Sequence, residues 1–150
     1  MGKNAGGRRR KLVDMALQPP RLEFRRDPSA TLDLDLPIAL GSDGDLLRQV
    51  EWYLNGQLVD FALNHFIEPR HPDNPTDRNV EVARIDTCHS EIHQHQFFRS
   101  GKPENRTVIE SLYSLGSLQE QCEVIRSRYD ECYDSVVAEW EDHLMRWREG

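Results

Sequence analysis

No stretch of this 150-residue chain approaches the roughly 18 consecutive apolar residues of a membrane span, so no membrane is expected among its partners. No long apolar region follows its basic start, and no secretory leader is expected either. Cysteine is scarce and unpatterned. Cys88, Cys122 and Cys132 form no C-x-x-C pair and are odd in number, which argues against a disulfide framework and for a reducing, cytoplasmic setting. What is present suits one modest domain. Hydrophobic residues make up 37% and charged residues 30%, and the apolar residues fall in periodic blocks.

The net charge of -7 conceals an asymmetry. Residues 1–26 hold eight basic residues against Asp14 and Glu23, a net of +6, which leaves -13 on the other 124 residues. A basic arm on an acidic body suits nucleic acid, and it equally suits its own body or an acidic partner. Residues 1–20 are Gly-rich and closed by Pro19-Pro20, the composition of a flexible arm with at most a helical turn around Leu12–Leu17; residues 21–150 are left as a single α+β domain.

Strand signals run through the first two-thirds of that domain, over about 22–99. Leu22-Glu-Phe24 is a short candidate. Thr31-Leu-Asp-Leu-Asp-Leu36 alternates strictly, so Leu32, Leu34 and Leu36 share a face, and Pro37 points to a sheet edge. Asn55-Gly56 between two apolar runs demands a type I′ hairpin. A regular two-residue loop would pair 52 with 59 and 50 with 61. Val50, Trp52, Val59, Phe61 and Leu63 would then share a core face, and Glu51 would oppose Asp60, an unfavourable pair unless a cation lies across it. Residues 69–78 read as a polar loop long enough to act as a flap, and strands follow over about 79–87 and 92–99.

The last third reads as helical. Thr107-Val-Ile-Glu110 has the form of a capping box and predicts a short helix over about 108–115. Ser117-Leu-Gln-Glu120 repeats the form and opens a segment without Pro or Gly before Gly150. Leu118, Cys122, Ile125, Tyr129, Cys132, Val136, Trp140, His143 and Trp147 recur at spacings of three and four, one stripe of a long helix over about 118–148. Such a helix would be about 45 Å long, more than a small domain needs. Trp140 and Trp147 at its far end are therefore expected to meet another chain, as a homodimer or with a basic partner, or to fold back on residues 22–36. The fold class expected is α+β: a mainly antiparallel sheet of four to six strands with a short and a long C-terminal helix.

The chemistry concentrates in Arg84-Ile-Asp86-Thr-Cys-His89-Ser-Glu-Ile-His93-Gln-His95. His93 and His95 project from one strand face about 6.6 Å apart. If Cys88–Glu91 forms a four-residue turn, Asp86 faces His93 and Arg84 faces His95; a five-residue turn would disperse the group among Glu81, Ala83 and Ile85. His89 would sit at the tip. A carboxylate beside an imidazole fixes its tautomer, and two imidazoles with a guanidinium suit phosphodiester cleavage, with His93 as base, His95 or His89 as acid and Arg84 on phosphate. That chemistry needs no cofactor. A divalent metal held by Asp86, His93 and His95 is the alternative the same residues allow. The bland account is a solvated polar strand. His65 and His143 lie on apolar stripes and read as packed residues. His71 in the loop is uninformative. Cys88 beside His89 is a weak thiolate signal, because adjacent strand residues point apart.

The run Asp86-x-x-His89-x-x-x-His93-x-His95 resembles the Asp/His-rich strand pair of small bacterial toxin-like domains of unknown function, some partnered with nucleotidyltransferase-type antitoxins. The resemblance covers about residues 46–100. It implies that Asp86, His89, His93 and His95 are the functional positions, that RNA or a nucleotide is the substrate, and that an antitoxin is a partner. The competing class is a non-catalytic interaction protein that uses the long helix as its surface.

Overall fold

The computed structural model describes residues 22–150; the basic arm expected over 1–20, with its helical turn, lies outside them. Among the described residues seven strands and one helix follow in order: β1 Thr31–Leu34, β2 Ile38–Ala39, β3 Asp45–Leu54, β4 Gln57–Ile67, β5 Val80–Cys88, β6 Glu91–Gln96, β7 Asn105–Ser111 and α1 Leu118–Glu149. Every pairing is antiparallel. The sheet runs β1-β3-β4-β5-β6-β7, and the short β2 shares the β3 edge with β1. Among the described residues no helix is long and apolar enough to cross a membrane.

The α+β class holds; the sheet has seven strands where four to six were expected, and two further expectations about its elements fail. Residues 108–115 form no helix. Thr107, Val108 and Ile109 are β-branched and lie beside the open edge of β6, so a seventh strand forms there instead. The sheet thus extends to Ser111, while Leu22–Phe24 is no strand. That segment is still anchored: Ser90 Oγ accepts from Phe24 N at 2.7 Å, and Gln121 Nε2 donates to the Leu22 carbonyl at 2.9 Å.

The Asn55-Gly56 turn forms with both residues at positive φ, 52° and 75°, as type I′ requires. The register behind it is not the regular one. A bulge leaves Val59 unpaired between Tyr53↔Leu58 and Trp52↔Asp60, so Phe61 opposes Glu51. The expected core face therefore splits: Phe61 and Leu63 join the helix side, and Val50 and Trp52 turn to the other. The Glu51/Asp60 clash never arises. Glu51 accepts from the Tyr53 hydroxyl and from that of Tyr129, and its hydrogen bond pushes the Tyr53 phenol up to about 12. Asp60 meets Arg26 at 3.0 Å and the Phe61 N–H at 2.8 Å, although burial still holds its carboxyl above the usual range.

Helix α1 lies along one face of the sheet. Ser117 caps it, accepting from Glu120 N at 3.1 Å, and Glu120 reaches back to Gly116 N. Of its buried residues, Ile125, Cys132, Val136, His143 and Trp147 lie on the expected stripe, while Gln121 and Leu144 are buried beside it and Leu118 is exposed. Ile125, Cys132 and Val136 pack on Leu47, Phe61, Leu63, Ile85 and Ile92. Leu144 and Trp147 pack on Ile67 and Val82, with Phe97 and Trp140 beside them. Trp147 is 2% exposed, and Trp140 lies against Gly41, where a Cβ would stand 2.8 Å from its ring. The helix does not overshoot. It spans the sheet, with Trp147 buried in this chain's own core and Trp140 partly buried against it.

Candidate functional site

The face of the sheet away from α1 carries the cluster. Residues paired across an antiparallel sheet point the same way, and the registers align two rows. One runs Leu34, Val50, Ala62, Asp86, His93, Val108; the next runs Arg48, Asn64, Arg84, His95, Arg106. Asp86↔His93 and Arg84↔His95 are the pairings that the four-residue turn requires.

That turn is held by more than local preference. His89 and Ser90 both have positive φ, 55° and 57°, costly for residues other than glycine. Ser90 is buried, its hydroxyl accepts from Phe24 N, and its carbonyl accepts from Leu112 N at 2.9 Å. Tertiary bonds thus over-determine the turn and lock the register behind it. His89 sits exposed at the tip and does not join the others.

Asp86 is the hub. Its Oδ2 stands 2.7 Å from Arg84 Nε, and its Oδ1 lies 2.9 Å from His93 Nε2 and 3.6 Å from His95 Nε2. The imidazole rings meet edge to face, with centroids 4.5 Å apart. Around them lie residues the motif did not point to. Glu104 Oε2 is 2.7 Å from His95 Nδ1, Arg106 Nη2 is 3.2 Å from His93 Nδ1, Glu91 pairs with Arg106, and Glu81 with Arg84 at 3.1 Å. Phe97 stacks on His95, its ring plane within 8°. Cys88 follows Asp86 at strand spacing, and the ligand atoms of Asp86, Cys88 and His93 lie within 4.8 Å of one another. The strand period of two could have found Cys88; nothing local could have found Glu104.

His93 has no exposed surface and His95 only 6%, whereas Asp86 is half-buried. Burial holds the His93 imidazole below its ordinary value against the opposing pull of Asp86, so it is neutral at pH 7. With no surface, His93 touches no substrate and stands behind Asp86 instead. Arg84 is engaged by two carboxylates. Arg48 stacks over Phe66 at 4.9 Å and has no ion-pair partner among the described residues, and neighbouring Asn64 leaves a buried Oδ1 without a hydrogen bond. Two clefts among the described residues lie away from this cluster. One of about 510 Å³ is lined by Arg25, Arg26, Val59, Cys122 and Arg126, and another of about 340 Å³ by Asp43, Trp140 and Met145.

No family model matches this chain, and no curated protein or solved structure matches it. What it does is therefore read from the site itself.

The other three histidines are internal. His65 and His71 each meet a different oxygen of Asp45 through Nε2, both at 2.8 Å, and all three residues are buried. His71 Nδ1 accepts from Asp73 N, and Arg148 of α1 binds the Asp73 carboxylate. Asn74 donates to the carbonyls of Glu68 and Arg78. The loop read as a flap is tied down on both sides. His143 bonds Gln96 Oε1 at 3.0 Å beneath the helix.

Proposed function

We propose that the open face of the sheet is a catalytic site for phosphodiester chemistry on RNA or a nucleotide, as the resemblance to toxin-like domains implies. The observation that carries this reading is that one half-buried carboxylate, Asp86, gathers a guanidinium and two imidazoles within 3.6 Å of its oxygens. A merely solvated strand has no need to bury two imidazoles against one oxygen. In the proposed arrangement His93 and Arg84 fix Asp86. His95, oriented by Glu104 through Nδ1, is the proton-transfer group beside it. Arg48, the arginine of this face free of carboxylates, receives the phosphate with the Asn64 amide beside it.

The test is turnover of short single-stranded RNA, cyclic dinucleotides and nucleoside triphosphates, with divalent metals supplied, by the full chain and by Asp86→Ala and His95→Ala. Each variant should lose about 10²-fold or more while keeping its circular dichroism spectrum. A wild-type chain that turns over none of these substrates, or variants that turn them over at the wild-type rate, would remove the reading.

A separate observation favours a second reading, an interaction module. Leu32, Leu34 and Leu36 are 49%, 58% and 88% exposed on or just after the edge strand, and Leu34 continues the row that contains Asp86. Apolar side chains in a row at an edge suit another protein chain, an antitoxin among them. Leu34→Asp that changes solution mass, with no turnover by the wild type, would favour this reading over the first.

A further inference from the structure

Asp86 Oδ1, His93 Nε2 and His95 Nε2 share an unusual condition. All three atoms are buried, both imidazole nitrogens lie within 3.6 Å of the carboxylate oxygen, and none makes a hydrogen bond. His93 Nε2 is near enough at 2.9 Å, but its N–H direction does not lie along the contact. His95 is more telling. Glu104 at 2.7 Å takes the Nδ1 proton, so a neutral His95 presents its Nε2 lone pair toward the Asp86 carboxylate oxygen 3.6 Å away. Lone pair against lone pair in a buried place is repulsive unless something positive lies between.

The surrounding charge agrees. The groups in contact are four carboxylates, Glu81, Asp86, Glu91 and Glu104, against two guanidiniums, Arg84 and Arg106. Two uncompensated negative charges enclose the three donor atoms. That balance repels a phosphate and attracts a dication.

We infer that Asp86 Oδ1, His93 Nε2 and His95 Nε2 are the ligands of a divalent transition-metal ion, zinc by ligand type, with Cys88 adjacent to the fourth position. Two imidazole nitrogens and one carboxylate oxygen are a three-ligand set that leaves room for water or substrate. Donors about 2.1 Å from one ion stand roughly 3.0–3.4 Å apart at octahedral to tetrahedral angles, and the two carboxylate–imidazole separations, 2.9 and 3.6 Å, straddle that interval. The Glu104 contact on His95 Nδ1 is the carboxylate–imidazole–metal arrangement that fixes a ligand's tautomer. On His93 the metal demands a change. With Nε2 on the ion, Nδ1 carries the proton, so Arg106 must withdraw and Glu91 Oε2, now 4.0 Å away, becomes the acceptor. Arg106 is partly exposed and free to do so. This inference deepens the catalytic reading and rests on it for the ion's purpose. The ion would offset the negative charge and bring a phosphodiester to Asp86 and His95.

The experiment is a binding titration, independent of turnover. A tag-free full chain, stripped with chelator and dialysed, is titrated with CoCl2 by visible absorption and with ZnCl2 by calorimetry. A single ion per chain is expected, with visible bands from the imidazole and carboxylate field. Asp86→Ala and His95→Ala should each weaken zinc by more than about 100-fold, and Glu104→Gln by about 10–100-fold. Bound zinc should raise the wild-type melting temperature and leave that of Asp86→Ala unchanged. His93 has no exposed surface, so His93→Ala is left out in favour of variants nearer the rim. No binding by a chain with an intact spectrum, or undiminished binding by Asp86→Ala, overturns the inference. Turnover that persists in chelator overturns it while the catalytic reading stands. Zinc bound as described with no turnover leaves the ion in place and removes that reading.

Discussion

Two places in this molecule set a carboxylate between two imidazoles, and they are finished differently. Under α1, Asp45 gives one oxygen to His65 and the other to His71, each at 2.8 Å with hydrogen-bond geometry. On the open face, Asp86 turns a single oxygen toward both His93 and His95, and none of the three atoms has a hydrogen bond. The first cluster leaves only His65 Nδ1 unpaired and ties a loop and the helix end to the sheet. The same residue types therefore serve opposite ends. Satisfied polar groups rigidify a core; unsatisfied ones that converge mark a place kept for a ligand.

The largest effect is expected where the satisfied cluster is broken. Asp45→Ala would leave two buried imidazoles without an acceptor, and should cost about 3–5 kcal/mol in urea unfolding. A midpoint within error of wild type would erase the distinction between the clusters. Its pH dependence follows from the same bonds. Burial alone would raise the Asp45 carboxyl, but the hydrogen bonds from His65 and His71 outweigh it and hold it below its ordinary 3.8. That stability is present above pH 3.8 and is lost as pH falls through the lower folded value. Close behind comes Trp147→Ala, with a loss of about 3 kcal/mol or more from the cavity it opens and no change of mass in solution. A variant that keeps its melting temperature and changes its association state would return the helix end to the role of a partner surface.

Asp86→Asn should behave in the opposite way. It removes a carboxylate whose Oδ1 makes no hydrogen bond and whose Oδ2 pairs with the partly exposed Arg84, so stability of the metal-free chain should shift by less than about 1 kcal/mol while metal binding and turnover fall. A loss comparable to that of Asp45→Ala would mean the open-face cluster is structural after all. The smallest effect concerns His143. Burial lowers its imidazole below the ordinary 6.5, with Arg146 and His65 acting the same way and Glu139 and Asp142 opposing. The neutral ring is the folded form. Its contribution is complete above pH 6.5 and declines as pH falls toward the folded value. His143→Gln should flatten stability between neutral pH and the acid limb set by Asp45; an unchanged slope there would exclude His143 as its source.

Local chemistry made part of this readable in advance. Asn55-Gly56 specified its turn because few residues tolerate two positive φ angles in succession. Ser117 with Glu120 specified the start of α1, and three-and-four spacing specified most of its buried stripe. Alternation put His93 and His95 on one face. Given an even turn, it also put Asp86 and Arg84 opposite them. These are short-range constraints, carried by neighbours within one element.

Tertiary structure decided what depends on distant partners. Thr107–Glu110 satisfies a helix cap and a strand equally well, and only the free edge of β6 selected the strand. One extra residue, Val59, moved Phe61 to the helix side and parted Glu51 from Asp60, a shift no alternation rule registers. Trp147 is buried because the sheet is wide enough to meet the whole helix. Asp45 finds His65 and His71 across 20 and 26 residues, and Glu104 finds His95 around a loop. The sequence by itself determined the Asn55-Gly56 hairpin turn, the long helix and the side chains that could do chemistry. Which histidines were satisfied and which were left facing an open place was settled only when separate strands met, because hydrogen-bond satisfaction belongs to the assembled partners and not to any residue alone.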